Sequence, residues 1–190
     1  MEKLLQEIKS CVVCKNHLPH PPRPILQAST QAKILIIGQA PGRRVQHTGI
    51  PWNDASGREL RRWLGVSEEQ FYNKDLFALV PMGFCYPGTG THGDLPPRPE
   101  CQPLWHPILL DKMGHIQLTI LIGQYAQKHY LGTKSKPTLT DNVKNFREFL
   151  PKYLPLVHPS PRNKRWQKRN VWFEWEVVPV VQDIVRSLLQ

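Results

Sequence analysis

The stretch AKILIIGQAPG, residues 32–42, sets an unbroken apolar run against a glycine-and-proline turn. A run this short, stopped by Gly38, reads as a parallel strand buried on both faces. Similar runs occur at LFALV (76–80), LTILI (118–122) and YLPLV (153–157). Helical patterns lie around and between them. Residues 1–10 form an amphipathic segment, and RELRRWLG (58–65) puts Leu60, Trp63 and Leu64 on one face with Gly65 as a stop. Further helices are expected at 67–72, 102–112, 124–131, 140–149 (capped by Thr140) and 171–189 (bent by Pro179). The segment 83–99, rich in glycine and proline, reads as a long loop. Strands alternating with helices predict an α/β fold, a three-layer sandwich with a central, mainly parallel four-stranded sheet. The expected organisation is a single domain over 1–190, with an N-terminal cysteine pair and a C-terminal helix. Ligands of such sheets collect at the carboxyl ends of the strands.

The chain of 190 residues carries a formal net charge of +10, which points to nucleic acid as a partner. The excess is clustered: Arg43-Arg44, Arg58, Arg61-Arg62 and the stretch 162–169 all lie beside turns. Prolines number 19 and are spread along the chain, so the loops are expected to be long and stiff. No run approaches the roughly 18 apolar residues of a membrane span, and MEKLLQEIKSC lacks the pattern of a signal peptide. A cytoplasmic, nucleoid-associated protein is expected, with its cysteines reduced.

Four cysteines are present, Cys11, Cys14, Cys85 and Cys101, spaced C-x2-C and C-x15-C. The close pair can direct two sulfurs at one centre, and prolines stiffen the loop between the other two. Four thiolates suit either zinc or an iron–sulfur cluster, and spacing alone does not choose. The centre would be structural, since it leaves no open position for substrate.

Two loops carry candidate chemistry. In GQAPG (38–42) small residues let backbone amides approach a ligand, while the pattern matches neither a P-loop nor a dinucleotide fingerprint. In HPSPRN (158–163) a histidine ends a strand and two prolines stiffen the turn after it. These loops, with Ile50-Pro51-Trp52 between them, resemble the two signature loops of uracil-DNA glycosylases. The cysteines resemble the cluster ligands of the iron–sulfur branch of that superfamily, best known from thermophiles. The likeness runs over roughly residues 8–163.

The resemblance implies a monofunctional glycosylase that flips a nucleotide out of DNA and hydrolyses its N-glycosidic bond, leaving an abasic site. It implies a 4Fe-4S cluster on the four cysteines, with zinc as the alternative. His158 would donate a hydrogen bond to the leaving base, Gly38, Gln39 and Ala40 would hold the base edge, and Trp52 would stack on its face. Arg162 would fill the gap left by the flipped nucleotide. Arg43, Arg44, Ser160, Asn163, Lys164 and Arg165 would contact DNA. Two positions depart from the family pattern. Gln39 stands in a loop that in many relatives holds an acid or asparagine to orient water, which makes Asp54 the substitute candidate beside its simpler role at a helix N-terminus. Pro81 stands where relatives read uracil with an asparagine, and proline has no side-chain amide. The base is then uracil or another altered pyrimidine. An alternative is defence against phage, by excision of a hypermodified cytosine; another is a non-catalytic iron–sulfur DNA-binding module. The expected state is a monomer on DNA, without membrane association, whose product passes to abasic-site processing enzymes.

Overall fold

The computed structural model describes residues 1–91 and 93–190. Along the chain come α1 (Glu2–Lys9), β1 (Ile34–Ile37), α2 (Arg43–Thr48), α3 (Ala55–Leu64), α4 (Glu68–Tyr72), β2 (Phe77–Leu79), β3 (Thr89–Gly90) and β4 (Gly93–Asp94). Next are α5 (Cys101–Asp111), β5 (Leu118–Ile122), α6 (Gln124–Leu131), α7 (Leu139–Lys144), β6 (Tyr153–Leu156), α8 (Lys164–Arg169) and α9 (Val178–Leu189). The four apolar runs make one sheet in the order β2-β1-β5-β6, and every pair in it is parallel. Ile36 sits in register with Leu79 on one side and Ile120 on the other.

Alternation along the strands builds two cores. Ile34, Ile36, Phe77, Leu79 and Ile120 face Leu60 and Trp63 of α3, Phe71 of α4, Val143 of α7 and Val181 of α9. Leu35, Ile37, Ala78 and Leu121 face Leu4 and Ile8 of α1, Leu109 of α5 and Ala126 of α6. This is the expected three-layer sandwich. Pro155 is tolerated inside β6 because that strand lies at the edge of the sheet, where one row of amides needs no partner. Among the described residues no helix is long and apolar enough to cross a membrane.

Several elements differ from the expectation. The segment 83–99 contains the antiparallel hairpin β3–β4. Arg43-Arg44 open α2, and residues 164–169 form α8, two helices that were not expected. Val45 is the buried residue of α2, and α8 has none, so neither carries an apolar period. The cap near 140 is Thr138, whose hydroxyl accepts from the Asp141 amide, and a 3-10 turn at Phe146–Phe149 comes after α7. At the C-terminus a π-helical turn, Phe173–Val177, leads into α9, and Pro179 sits in the first turn of that helix.

Candidate active site

The loops after β1, β2 and β6 meet the turn before α3 and the β3–β4 hairpin around a cavity of about 260 Å³. Gly38, Gln39, Ala40, Trp52, Asp54, Pro81, His158, Ser160 and Arg162, widely separated in the sequence, all line it. The first two loops are stitched together beyond their strands: Met82 N donates to the Gly38 carbonyl (2.9 Å) and Gly83 N to that of Gln39 (3.0 Å).

Trp52 is the cavity's strained residue, a non-glycine at φ 57°. Its indole crosses Gly38 so closely that a β-carbon there would lie 3.0 Å from Cζ2. Its carbonyl presses on Gly57, where a β-carbon would lie 1.7 Å from the oxygen. Tyr72 buttresses the same turn by donating its hydroxyl to the Pro51 carbonyl at 3.0 Å. Held in this way, the indole stacks on the His158 ring, with centroids 5.7 Å apart and planes at 29°.

Burial lowers the His158 pKa from the usual histidine value, and the nearby Asp54 carboxylate pulls it partly back. A neutral imidazole, able to donate one N–H, is the form this predicts at neutral pH. The Asn163 amide donates to the His158 carbonyl at 2.8 Å, and the Ser160 hydroxyl accepts from the Arg162 backbone at 3.2 Å. Within the chain, therefore, both side chains fasten the loop that carries the histidine.

Asp54 is the N-cap of α3: Oδ1 accepts from the Gly57 amide at 2.8 Å. Its other oxygen faces Gly42, 4.0 Å from the site of a β-carbon there. The Gln39 side-chain amide donates to the Leu95 carbonyl at 2.9 Å, which latches the first loop to the segment after β4. Asp94, at the end of β4, also lines the cavity, and its Oδ2 lies 3.6 Å from the same Gly42 position. Burial raises its pKa from the usual carboxylate value, while Arg162 and the Thr89 hydroxyl favour the ion and Asp54 opposes it. Asp94, Gly57 and Tyr72 were not among the residues expected from sequence. A two-residue strand leaves no periodic signal, the Gly57 contact is a local close approach inside a helix pattern, and the Tyr72 contact joins residues 21 apart.

The remaining basic candidates, Arg43, Arg44, Lys164 and Arg165, are exposed on α2 and α8 and do not line the cavity. Arg61 and Arg62 lie on α3, the helix expected from RELRRWLG. Arg61 pairs with Glu68 and covers the Phe71 and Tyr72 rings, and Arg62 pairs with Glu59 and Glu174.

A second, small pocket gathers Cys11, Cys14, Cys85 and Cys101 with Phe84, Leu104 and Trp105. The Phe84 amide donates to the Cys101 sulfur at 3.3 Å. Burial pushes the Cys85 thiol up to about 11 and that of Cys101 up to about 12. Among the described residues no three side chains of His, Cys, Asp or Glu converge as ligands of one ion; the four sulfurs instead ring a shared void.

A family model described as the uracil DNA glycosylase superfamily matches residues 26–182. The chain is also 26% identical over 183 residues to a Type-4 uracil-DNA glycosylase of Thermotoga maritima, an alignment covering 92% of this chain and 90% of that relative.

Proposed function

The chain belongs to the uracil DNA glycosylase superfamily, and from that premise we propose that it is a monofunctional DNA glycosylase, one domain over 1–190, that flips a base into the Trp52–His158 cavity and hydrolyses its N-glycosidic bond. One observation carries this reading: a half-buried histidine with a lowered pKa, stacked on a tryptophan in a cavity at the carboxyl ends of β1, β2 and β6.

The C1′–N bond breaks with its electron pair leaving on the base, so the site must stabilise an anion on one side and a cationic sugar on the other. The His158 N–H serves the first need at a base carbonyl oxygen. The Gly38 and Gln39 carbonyls are already bonded to Met82 and Gly83, so this loop offers its amides to the base edge. Trp52 supplies the stacking face. Gln39 is committed to Leu95, so it acts on the substrate as part of the loop rather than as a free amide. Arg162 and Ser160, at the cavity's edge, face the gap in the duplex, and Arg43, Arg44, Asn163, Lys164 and Arg165 extend the phosphate contacts.

The base is uracil or another altered pyrimidine. Ala40 and Pro81 in the wall bring no side-chain amide to its edge, and this favours a second reading in which a modified cytosine is removed from phage DNA as defence. Duplexes carrying uracil, hypoxanthine or modified cytosine, incubated with the protein and then treated with alkali, test both readings. Cleavage at one of these bases is expected, with a loss of about 10²-fold or more in His158→Ala. Binding without cleavage, unchanged in His158→Ala, would instead make the protein a non-catalytic DNA-binding module.

The four cysteines hold a 4Fe-4S cluster in this reading. All four cysteines line one small pocket, which fits a group held by four thiolates. When bound it would tie the N-terminal segment to the start of α5, with all four thiolates engaged and no position left for substrate. Broad visible absorption, with about four irons and four sulfides per chain, is expected; a colourless protein holding zinc would reverse this assignment.

A further inference from the structure

We propose that Asp94, carried over the cavity by the β3–β4 hairpin, is the carboxylate that orients and deprotonates the attacking water. The inference rests on the glycosylase reading above and assigns the one role in it that still lacks a residue. Hydrolysis needs a group that accepts the water's proton as the oxygen bonds to C1′ and the base leaves with the glycosidic electron pair. The proton passes to the carboxylate, and the departed base anion, held by the His158 N–H, is later protonated from solvent.

Among the described residues, Asp54 and Asp94 supply the carboxylates that line the cavity. Asp54 is half engaged, because one oxygen caps α3 on the Gly57 amide. Gln39 has no carboxylate, and its amide is bonded to Leu95. Asp94 is exposed at the cavity's edge, and Oδ2 of each aspartate faces Gly42, at 3.6 Å for Asp94 and 4.0 Å for Asp54 from the position of a β-carbon there.

The hairpin is built to hold Asp94 there. Gly88 and Gly93 adopt φ values of 107° and 132°, which a residue with a side chain rarely takes. The Leu95 amide donates to the Gly88 carbonyl at 2.8 Å, while the Leu95 carbonyl receives the Gln39 latch. The Arg162 guanidinium comes within 2.8 Å of the β-carbon position of Gly93, so the His158 loop closes on the hairpin from the other side. The groups facing Asp94 are therefore Arg162 and Thr89, which favour the ion, and Asp54, which opposes it. Burial raises the Asp94 pKa from the ordinary carboxylate value, a shift in the direction a proton acceptor needs.

The test uses Asp94→Asn, Asp94→Glu and Asp54→Asn in the full protein, with two readouts. The first is the single-turnover rate on the base that the wild type cleaves, followed against pH. The second is affinity for duplexes holding a cationic 1-azasugar or a neutral tetrahydrofuran abasic analogue, which needs no knowledge of the base. Asp94→Asn is expected to slow turnover about 10²-fold or more, to remove the acidic limb of the pH profile, and to leave substrate binding within about threefold. It should also abolish the preference for the cationic analogue, and Asp94→Glu should restore part of both. If Asp94→Asn keeps its rate and that preference while Asp54→Asn loses them, Asp54 is the base and the proposal fails with the glycosylase reading intact. If the wild type itself cleaves no base and binds both analogues equally, the glycosylase reading fails and this assignment falls with it.

Discussion

Trp52 holds a left-handed backbone at φ 57°, a conformation costing about 1–3 kcal/mol for a bulky side chain and kept only where the surroundings enforce it. Three contacts do so: the Tyr72 hydroxyl on Pro51, Gly57 beneath the Trp52 carbonyl, and Gly38 beneath the indole. Gly57→Ala isolates the second. Helix propensity alone would favour alanine by about 1 kcal/mol, but its β-carbon would lie 1.7 Å from a backbone oxygen. The clash dominates. The variant should lose about 1–3 kcal/mol of stability and, since the Trp52 turn must shift, about 10²-fold in single-turnover rate. Thermal melts and rapid-quench assays would separate the two losses; a variant with wild-type rate would show that the turn need not be held. His158 gives a second prediction at this scale. Burial lowers its pKa and Asp54 raises it, so its NMR titration midpoint should lie below 6.5, and Asp54→Asn should move it lower still. An upward shift in that variant would contradict the assigned coupling.

At the scale of elements, the hairpin and the first loop are joined by a side-chain bond, Gln39 Nε2 to the Leu95 carbonyl. Gln39→Ala should cost no more than about 1 kcal/mol in global stability, because the bond is exposed. It should speed amide exchange over 88–95 far more than in the sheet, and hydrogen-exchange mass spectrometry would see the difference. Uniform exchange would mean that the hairpin stands without the latch. The same region marks where the sequence was and was not legible. The central strands were readable because four apolar runs end at turns, and α3 because Leu60, Trp63 and Leu64 share a face and Asp54 precedes it. Helices α2 and α8 and the hairpin were not: they bury one apolar side chain or none, so no apolar period marks them. For the cavity, the first and last loops were visible as GQAPG and HPSPRN, whereas Asp94 was hidden in a segment with no period. Asp54 has its anticipated place at a helix N-terminus, where one oxygen caps α3, and it also lines the cavity.

For the whole molecule, the charge of +10 resolves into basic side chains that are exposed and basic side chains already paired. Lys164 and Arg165 are exposed on α8, whereas Arg62 is engaged by Glu59 and Glu174. Replacing Lys164 or Arg165 with alanine should each reduce the slope of log affinity against log salt by about 1. Arg62→Ala should leave that slope unchanged and cost stability instead; equal slopes for all three would refute the division. The fold also contains a buried titratable group outside the cavity, and it sets the response to acid. His106 of α5 has 0% exposure, donates from Nε2 to the Pro81 carbonyl (2.9 Å), accepts at Nδ1 from the Tyr130 hydroxyl (2.5 Å), and lies parallel to the Phe84 ring. It joins α5 and α6 to the loop that forms the cavity wall. Burial lowers its pKa to about 4, against an ordinary value of 6.5. The unfolded chain therefore takes up the proton first, and stability rises with pH across that interval. The His106 contribution is fully present above about pH 6.5 and is lost as pH falls towards about 4, a total on the order of 3 kcal/mol. Urea unfolding at pH 7.5, 5.5 and 4.5 should show this decline in the wild type. His106→Gln, which keeps a hydrogen-bonding side chain but cannot titrate, should start less stable at pH 7.5 and decline less steeply. The residual slope in that variant belongs partly to His158, whose pKa is lowered for the same reason. A variant as acid-sensitive as the wild type would mean that the buried proton site lies elsewhere.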